Sequence, residues 1–188
     1  ISQAGALSVS GTSALNAGSG AITLTNGANN FTGAVSLTGG VTQITDTTAL
    51  TLGTLSTTGA LTAISNGALN LGSGGVGGNL AATSNNGAIS QTGALSVTGT
   101  SALNAGSGTI TLTNGGNHFT GIVSLTGGVT QITDTNALTL GTLSTTGALT
   151  AISNGALNLG SGSVGGNLTA TSNNGAISQT GALSVTGT

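Results

Sequence analysis

Apolar and polar residues alternate in short segments along the whole chain. Segments such as ALSV, TITL and ALTL place Leu, Ile or Val at every second position, and Gly, Asn and Ser separate one segment from the next. Alternation with a period of two is typical of a β-strand that buries one face. Pairs such as Ser107-Gly108 and Asn154-Gly155 tolerate the positive φ angles of sharp corners. The pattern therefore predicts an all-β chain of short strands joined by tight corners.

The chain repeats itself with a period of 88 residues. Residues 89–176 differ from residues 1–88 at nine positions, and residues 177–188 begin a third copy. A long period that contains shorter self-similar pieces is typical of a solenoid built from stacked turns. We therefore interpret residues 1–188 as a single β-solenoid array with super-repeats 1–88 and 89–176 and a partial copy 177–188. Because the chain begins and ends inside the same motif, we expect it to be a fragment of a longer repetitive protein.

Within the 88-residue unit a shorter spacing of about 20 residues recurs. In the second copy, similar segments open at Ala88, Thr109, Ala137 and Ala156 and return at Ala176, so the spacings are 21, 28, 19 and 20 residues. Each interval divides into three alternating segments, as a three-sided coil requires. The sequence predicts a right-handed parallel β-helix (β-solenoid) with three-sided coils of about 19–21 residues, in which each 88-residue super-repeat forms four coils, one of them longer. An antiparallel sandwich or barrel also uses short strands and Gly-rich turns, but the regular spacing favours the coil.

Stacked coils place equivalent positions directly above one another. At the strand spacing of any β-sheet, about 4.8 Å, nine turns would form a rod about 40 Å long. The sequence predicts that Leu, Ile and Val side chains line up in inward columns. These columns are Ile89, Ile110, Leu138, Leu157 and Ile177; Leu112, Leu140 and Leu159; and, on a second face, Leu95, Val123 and Leu143.

The longer coil carries the one predicted protrusion, a loop over residues 113–121 with its counterpart at 25–33. The loop contains the only aromatic residue of each copy, and three of the nine differences between the copies lie in it or next to it. In one interpretation each Phe anchors a ligand or a lateral contact. In the other, which we favour, each Phe folds back over the base of its own loop. The candidate surface-contact residues are Asn26, Asn30, Phe31, Asn114, His118 and Phe119.

Composition argues against most functional classes. The chain has no Lys or Arg and only two acidic residues, so it lacks the basic surface that binds nucleic acids or anionic membranes. No apolar run approaches the roughly 20 residues of a membrane-spanning helix. Asp46 and Asp134 are predicted to lie four turns, about 19 Å, apart, too far for paired-carboxylate glycosidase chemistry, and each is expected to form an Asx turn. His118 has no counterpart in the first copy, so we expect no metal, cofactor or catalytic site and no enzymatic activity.

Two stretches carry a family resemblance. GAISQTGALSVTGTSALNAGSGTITLTN, from Gly87, and NHFTGIVSLTGG, from Asn117, resemble the repeats of filamentous-haemagglutinin-like proteins, the large exoproteins of bacterial two-partner secretion. The resemblance covers the whole chain and rests on repeat style and turn length. It implies a right-handed parallel β-helix, export across the outer membrane, and a role in adhesion, aggregation or biofilm matrix at the bacterial cell surface. A host or cell-surface glycan or protein would be the receptor, and the secretion and receptor-binding domains of that family are not visible here.

The leading hypothesis is the structural shaft of an extracellular, adhesive fibre. Lateral or end-to-end self-association is expected, because charge repulsion is nearly absent and open coil ends favour continuation. The alternative is a solenoid that binds glycans or ice through outward columns of Thr, Ser and Asn, as TLSTTG and TITLT suggest. A polysaccharide-degrading enzyme is a third hypothesis, but no residue can be assigned to its catalysis.

Overall fold

The computed structural model describes residues 1–187, which form 25 short strands and no helix. The described residues therefore include no helical segment that is able to span a membrane. In chain order the strands are β1 Ser8–Val9, β2 Ser13–Asn16, β3 Ile22–Leu24, β4 Asn30–Phe31, β5 Val35–Gly39, β6 Thr42–Asp46, β7 Leu50–Thr57, β8 Leu61–Ser65, β9 Leu69–Asn70, β10 Ser73–Val76, β11 Leu80–Ser84, β12 Ile89–Ser90, β13 Leu95–Val97, β14 Ser101–Asn104, β15 Ile110–Leu112, β16 His118–Phe119, β17 Val123–Gly127, β18 Thr130–Asp134, β19 Leu138–Thr145, β20 Leu149–Ser153, β21 Leu157–Asn158, β22 Ser161–Val164, β23 Leu168–Ser172, β24 Ile177–Ser178 and β25 Leu183–Val185.

The strands stack into three faces. Within each face, strands of successive turns pair, and every pairing is parallel. Face A starts at a bridge on Ser2 and continues through β3, β6, β8, β11, β14, β17, the end of β19, β22 and β25. Face B contains β1, β4, the start of β7, β9, β12, β15, β18, β20 and β23, and face C contains β2, β5, the end of β7, β10, β13, β16, the start of β19, β21 and β24. Face A makes nine steps, so the chain is a β-solenoid of about nine turns, as the alternation and spacing predicted.

All three of the predicted columns are joined wrongly. Ile89 stacks on Ile110 as expected, and the second half of that column, Leu138 to Ile177, also stacks. Ile110, however, pairs with Thr130 rather than leading to Leu138. The other columns change in the same way: Leu112 pairs with Ile132, Leu95 with Gly74, Val123 with Ser101 and Leu140, and Leu143 with Leu125.

The physical reason is a strand that the predicted turns omit. β4 and β16 each occupy a full face position, stacked on β1 and β13, in the stretch that was predicted to be a protruding loop. One 88-residue unit contains the twelve strands from β3 to β14. Because β7 bends across two faces, these strands cover thirteen successive faces of the three-sided coil. One 88-residue unit makes four and one-third turns instead of four coils with one longer coil.

This extra third of a turn moves each copy of the repeat onto a new face. The sequence ISQ opens each copy, at residues 1–3, 89–91 and 177–179. This ISQ motif lies on face A at Ser2, on face B at β12 and on face C at β24. The TQITD segment likewise lies on face A as β6 and on face B as β18. Near-identical sequences therefore point in directions about one-third of a rotation apart.

The core is one continuous apolar cluster along the solenoid axis. On face A an inward column runs through Leu24, Ile44, Ala63, Ala82, Leu103, Leu125 and Leu143. Two Ala residues, Ala63 and Ala82, follow each other in the middle of this column, between larger Leu and Ile side chains. Gly74 and Gly162 interrupt the apolar pattern because their φ angles are 118° and 126°, a region that other residues rarely adopt.

Candidate functional site

The predicted surface loop is part of the solenoid wall. Phe31 and Phe119 are 2% and 1% exposed, so they are not surface-contact residues; they lie in the common core of the solenoid and do not fold back over the base of a loop. The prediction that the segment protrudes is wrong, because its backbone pairs with the turn below. For the polar residues a surface contact stays a prediction. Asn26 is exposed, and Asn30, Asn114 and His118 are partly exposed.

A buried asparagine in each copy ties successive turns together. Asn117 is fully buried, and its Oδ1 accepts hydrogen bonds from Gln91 Nε2 at 2.7 Å and from Leu95 N at 2.9 Å. Its Nδ2 donates to Gln91 Oε1 at 2.8 Å and to the carbonyl oxygens of Leu112 and Thr133 at 3.2 Å. A polar group inside a core is tolerated only when it is hydrogen-bonded, so this amide completes backbone bonding where the chain leaves β15.

The first copy contains the same arrangement. Asn29 Oδ1 accepts from Gln3 Nε2 at 2.7 Å and Leu7 N at 2.9 Å. Asn29 Nδ2 donates to Gln3 Oε1 at 2.9 Å, to the Leu24 carbonyl at 3.1 Å and to the Thr45 carbonyl at 3.2 Å. This role was missed from the sequence. The available signal is that Asn29 lies two residues before Phe31 and therefore shares its inward side.

The two carboxylates are buried structural acceptors. Asp46 is 1% exposed, and its Oδ2 accepts from Phe31 N at 2.6 Å. Its Oδ1 accepts from Thr48 N at 2.7 Å and from Thr48 Oγ1 at 2.9 Å. Asp134 accepts from Phe119 N at 2.6 Å and from Asn136 N at 2.7 Å. The bonds to the residue two positions on confirm the predicted Asx turns.

The relative placement of the carboxylates differs from the prediction. Asp46 lies on face A and Asp134 on face B, so they do not share one column four turns apart. The extra third of a turn in each repeat causes this rotation. Within residues 1–187 no group of three or more His, Cys, Asp or Glu side chains comes together to hold a metal ion.

His118 belongs to a pair of linked differences between the copies. In the first copy the single proton of Thr48 Oγ1 is shared between Asp46 Oδ1 at 2.9 Å and Asn30 Oδ1 at 3.3 Å. In the second copy both positions change, and Asn136 Nδ2 lies 2.6 Å from His118 Nδ1. His118 Nε2 also lies 3.2 Å from Thr120 Oγ1. The substitutions replace one exposed cross-turn hydrogen bond by another, so His118 has a structural partner.

A groove with a volume of about 490 Å³ runs along the corner between faces A and B. We name it the corner groove and define it by six of its lining residues, which are Thr45, Ile64, Asn66, Asn85, Asn86 and Asn104. Asn85 Nδ2 donates to Asn66 Oδ1 of the turn below at 2.7 Å. Asn86 has a φ of 61°, and its Oδ1 accepts from Ser107 N at 3.0 Å in the turn above. The groove is therefore bordered by amides that bond along the solenoid axis.

Comparison with known proteins gives one match. A family model described as "Repeats of unknown function (DUF5649)" matches residues 1–38, 63–126 and 150–188, about three quarters of the chain. Searches of curated proteins and of solved structures gave no significant match. The matched segments include all three occurrences of the ISQ motif.

Proposed function

We propose that this chain, which belongs to the DUF5649 family of repeats of unknown function, is part of the structural shaft of a large secreted bacterial surface fibre. The observation that carries the proposal is the uninterrupted parallel stacking of about nine turns around one core. Each turn buries its apolar face against its neighbours alone, so further repeats extend such a rod without new long-range contacts. This is the property that a shaft needs.

The neutral exterior supports a role in assembly. Both carboxylates are buried, and the chain contains no Lys or Arg, so the outer surface is formed mainly by Ser, Thr, Asn and Gly. Neighbouring shafts would meet without electrostatic repulsion. We therefore propose lateral or end-to-end self-association into fibres, which should persist at high salt because no ion pairs are involved.

The extracellular setting of the proposal rests on the resemblance to filamentous-haemagglutinin-like exoproteins. That resemblance favours adhesion, aggregation or a matrix function at the bacterial cell surface and no catalysis. Ice binding is less well supported, because the outward residues on face B change from Thr51 to Asn70, Ser90, Thr111 and Gln131 in successive turns. A flat surface of one repeated residue type does not form.

Small-angle X-ray scattering tests the shaft. One further copy of residues 89–176 joined in phase to the chain should leave the cross-sectional radius unchanged and lengthen the particle by about 21 Å, the rise of four and one-third turns at about 4.8 Å each. Growth in the cross-section instead of the length would refute the shaft. Protease treatment of intact native cells tests the location, since a chain that resists digestion until lysis would contradict surface display.

A further inference from the structure

The corner groove combines two outward rows of side chains on four successive levels. One row on face A consists of Thr45, Ile64, Thr83 and Asn104, which are direct neighbours in the parallel register. Asn66 and Asn85 lie beside it at the corner. Four levels at about 4.8 Å per step span about 14 Å, which suits a short oligosaccharide better than a single sugar.

The lining is polar but uncharged at its surface. The only carboxylate at the groove, Asp46, is 1% exposed, and Phe31 N, Thr48 N and Thr48 Oγ1 already occupy its oxygens. The side-chain Nδ2 atoms of Asn66 and Asn104 donate no hydrogen bond within residues 1–187. Amides and hydroxyls both donate and accept, as sugar hydroxyls do, so the lining favours a neutral ligand.

An apolar side chain lies in the middle of this polar surface. Ile64 is 40% exposed and is flanked by Thr45 and Thr83 in its own row. A pyranose ring presents C–H groups on one face and hydroxyls at its edge. Ile64 matches the first and the asparagine amides match the second, so the groove has the two-part chemistry of a specific ligand site.

We propose that the corner groove is a binding site for a neutral oligosaccharide. The extra third of a turn gives each further repeat its own groove on the next corner of the solenoid. Four and one-third turns at about 4.8 Å per turn separate successive grooves by about 21 Å along the axis. A long array would therefore display one site per repeat, and each site would be rotated by one-third of a turn relative to the site before it. Linked sites of this kind raise the avidity for a polymeric glycan far above the affinity of one site. The proposal goes beyond the shaft, which stands or falls on its own evidence.

The second copy provides a matched control. Ile122 is 49% exposed and does not line the corner groove, so the same substitution there changes a surface that the proposal does not use. The variants to compare are I64S and I122S, both changes on the outer surface that leave the core untouched.

The experiment titrates the ¹⁵N-labelled chain with cellotriose, maltotriose, mannotriose and chitotriose, and with an oligogalacturonate as the anionic comparison. At least one neutral trisaccharide, at concentrations up to about 10 mM, should shift the side-chain amide signals of Asn66, Asn85 and Asn104. I64S should weaken the binding reported by these signals about tenfold or more because an apolar contact to the ligand is lost, and I122S should leave it unchanged. Circular dichroism melting confirms that both variants fold.

Four results would overturn the proposal. These are no saturable shift with any neutral trisaccharide, shifts that map outside the corner groove and its equivalent in the second copy, binding of the anionic oligosaccharide alone, and an equal loss of binding in I64S and I122S. None of them affects the length test of the shaft.

Discussion

Replacing Asn117 by Ala tests whether one buried amide holds three turns of the solenoid together. The side chain is fully buried and makes five hydrogen bonds, to Gln91, Leu95, Leu112 and Thr133. Alanine cannot replace any of them. The change leaves the Leu95 N–H and the carbonyls of Leu112 and Thr133 without this partner inside the core.

The magnitude follows from those orphaned groups. A buried backbone group that loses its partner costs about 1–3 kcal/mol. If water hydrates one of these three backbone groups, two remain without a partner, and the shorter side chain also leaves a small cavity. Together these losses should lower the free energy of unfolding by about 3–5 kcal/mol. The control is Asn114→Ala in the same connection, where one partly exposed side chain accepts a single bond from Gly116 N at 2.9 Å. That loss should cost about 1 kcal/mol or less.

Hydrogen exchange is the suitable assay, since stacked repeats can open locally without unfolding as a whole. The Leu95 amide should exchange roughly 10² to 4 × 10³ times faster in Asn117→Ala than in the unchanged chain, the factor that about 3–5 kcal/mol implies. Urea unfolding of both variants gives the global effect. If Asn117→Ala and Asn114→Ala differ by less than about 1 kcal/mol, the buried amide does not have the structural role assigned to it.

Three further predictions use substitutions elsewhere in the chain. Phe119→Ala should lower the free energy of unfolding by about 3–5 kcal/mol in urea because it empties part of the core; unchanged stability would indicate a surface side chain. Gly74→Ala should lower the free energy of unfolding by about 2 kcal/mol or more, because φ is 118° and the new Cβ would collide with a carbonyl oxygen of the turn below. The control Gly75→Ala, with open space around it, should change that free energy by no more than about 0.5 kcal/mol, and equal melting temperatures of the two variants would contradict this. In a double-mutant cycle, His118→Asn and Asn136→Thr should couple by about 0.5–1 kcal/mol, and additive effects would exclude the cross-turn pair.

The local alternation of side chains was enough to predict strands, corners and stacking. Leu and Ile at every second position can bury one face only, and a spacing near 20 residues returns the chain to the same side. The role of Asp46 and Asp134 in Asx turns was also predicted correctly, because that hydrogen bond forms within three consecutive residues. Predictions of this kind depend on neighbours in sequence.

The register of the turns depended on the tertiary structure. β4 and β16 are two-residue strands that exist because the turn beneath them offers backbone partners, so alternation cannot identify them. One such strand in each repeat changes four coils into four and one-third turns and so rotates every copy onto a new face. The buried position of Asn117 and the corner groove follow from that register. By itself the sequence determined that apolar side chains would stack around an axis; only packing between turns decided which ones meet, because pairing energy is gained between residues about 20 positions apart.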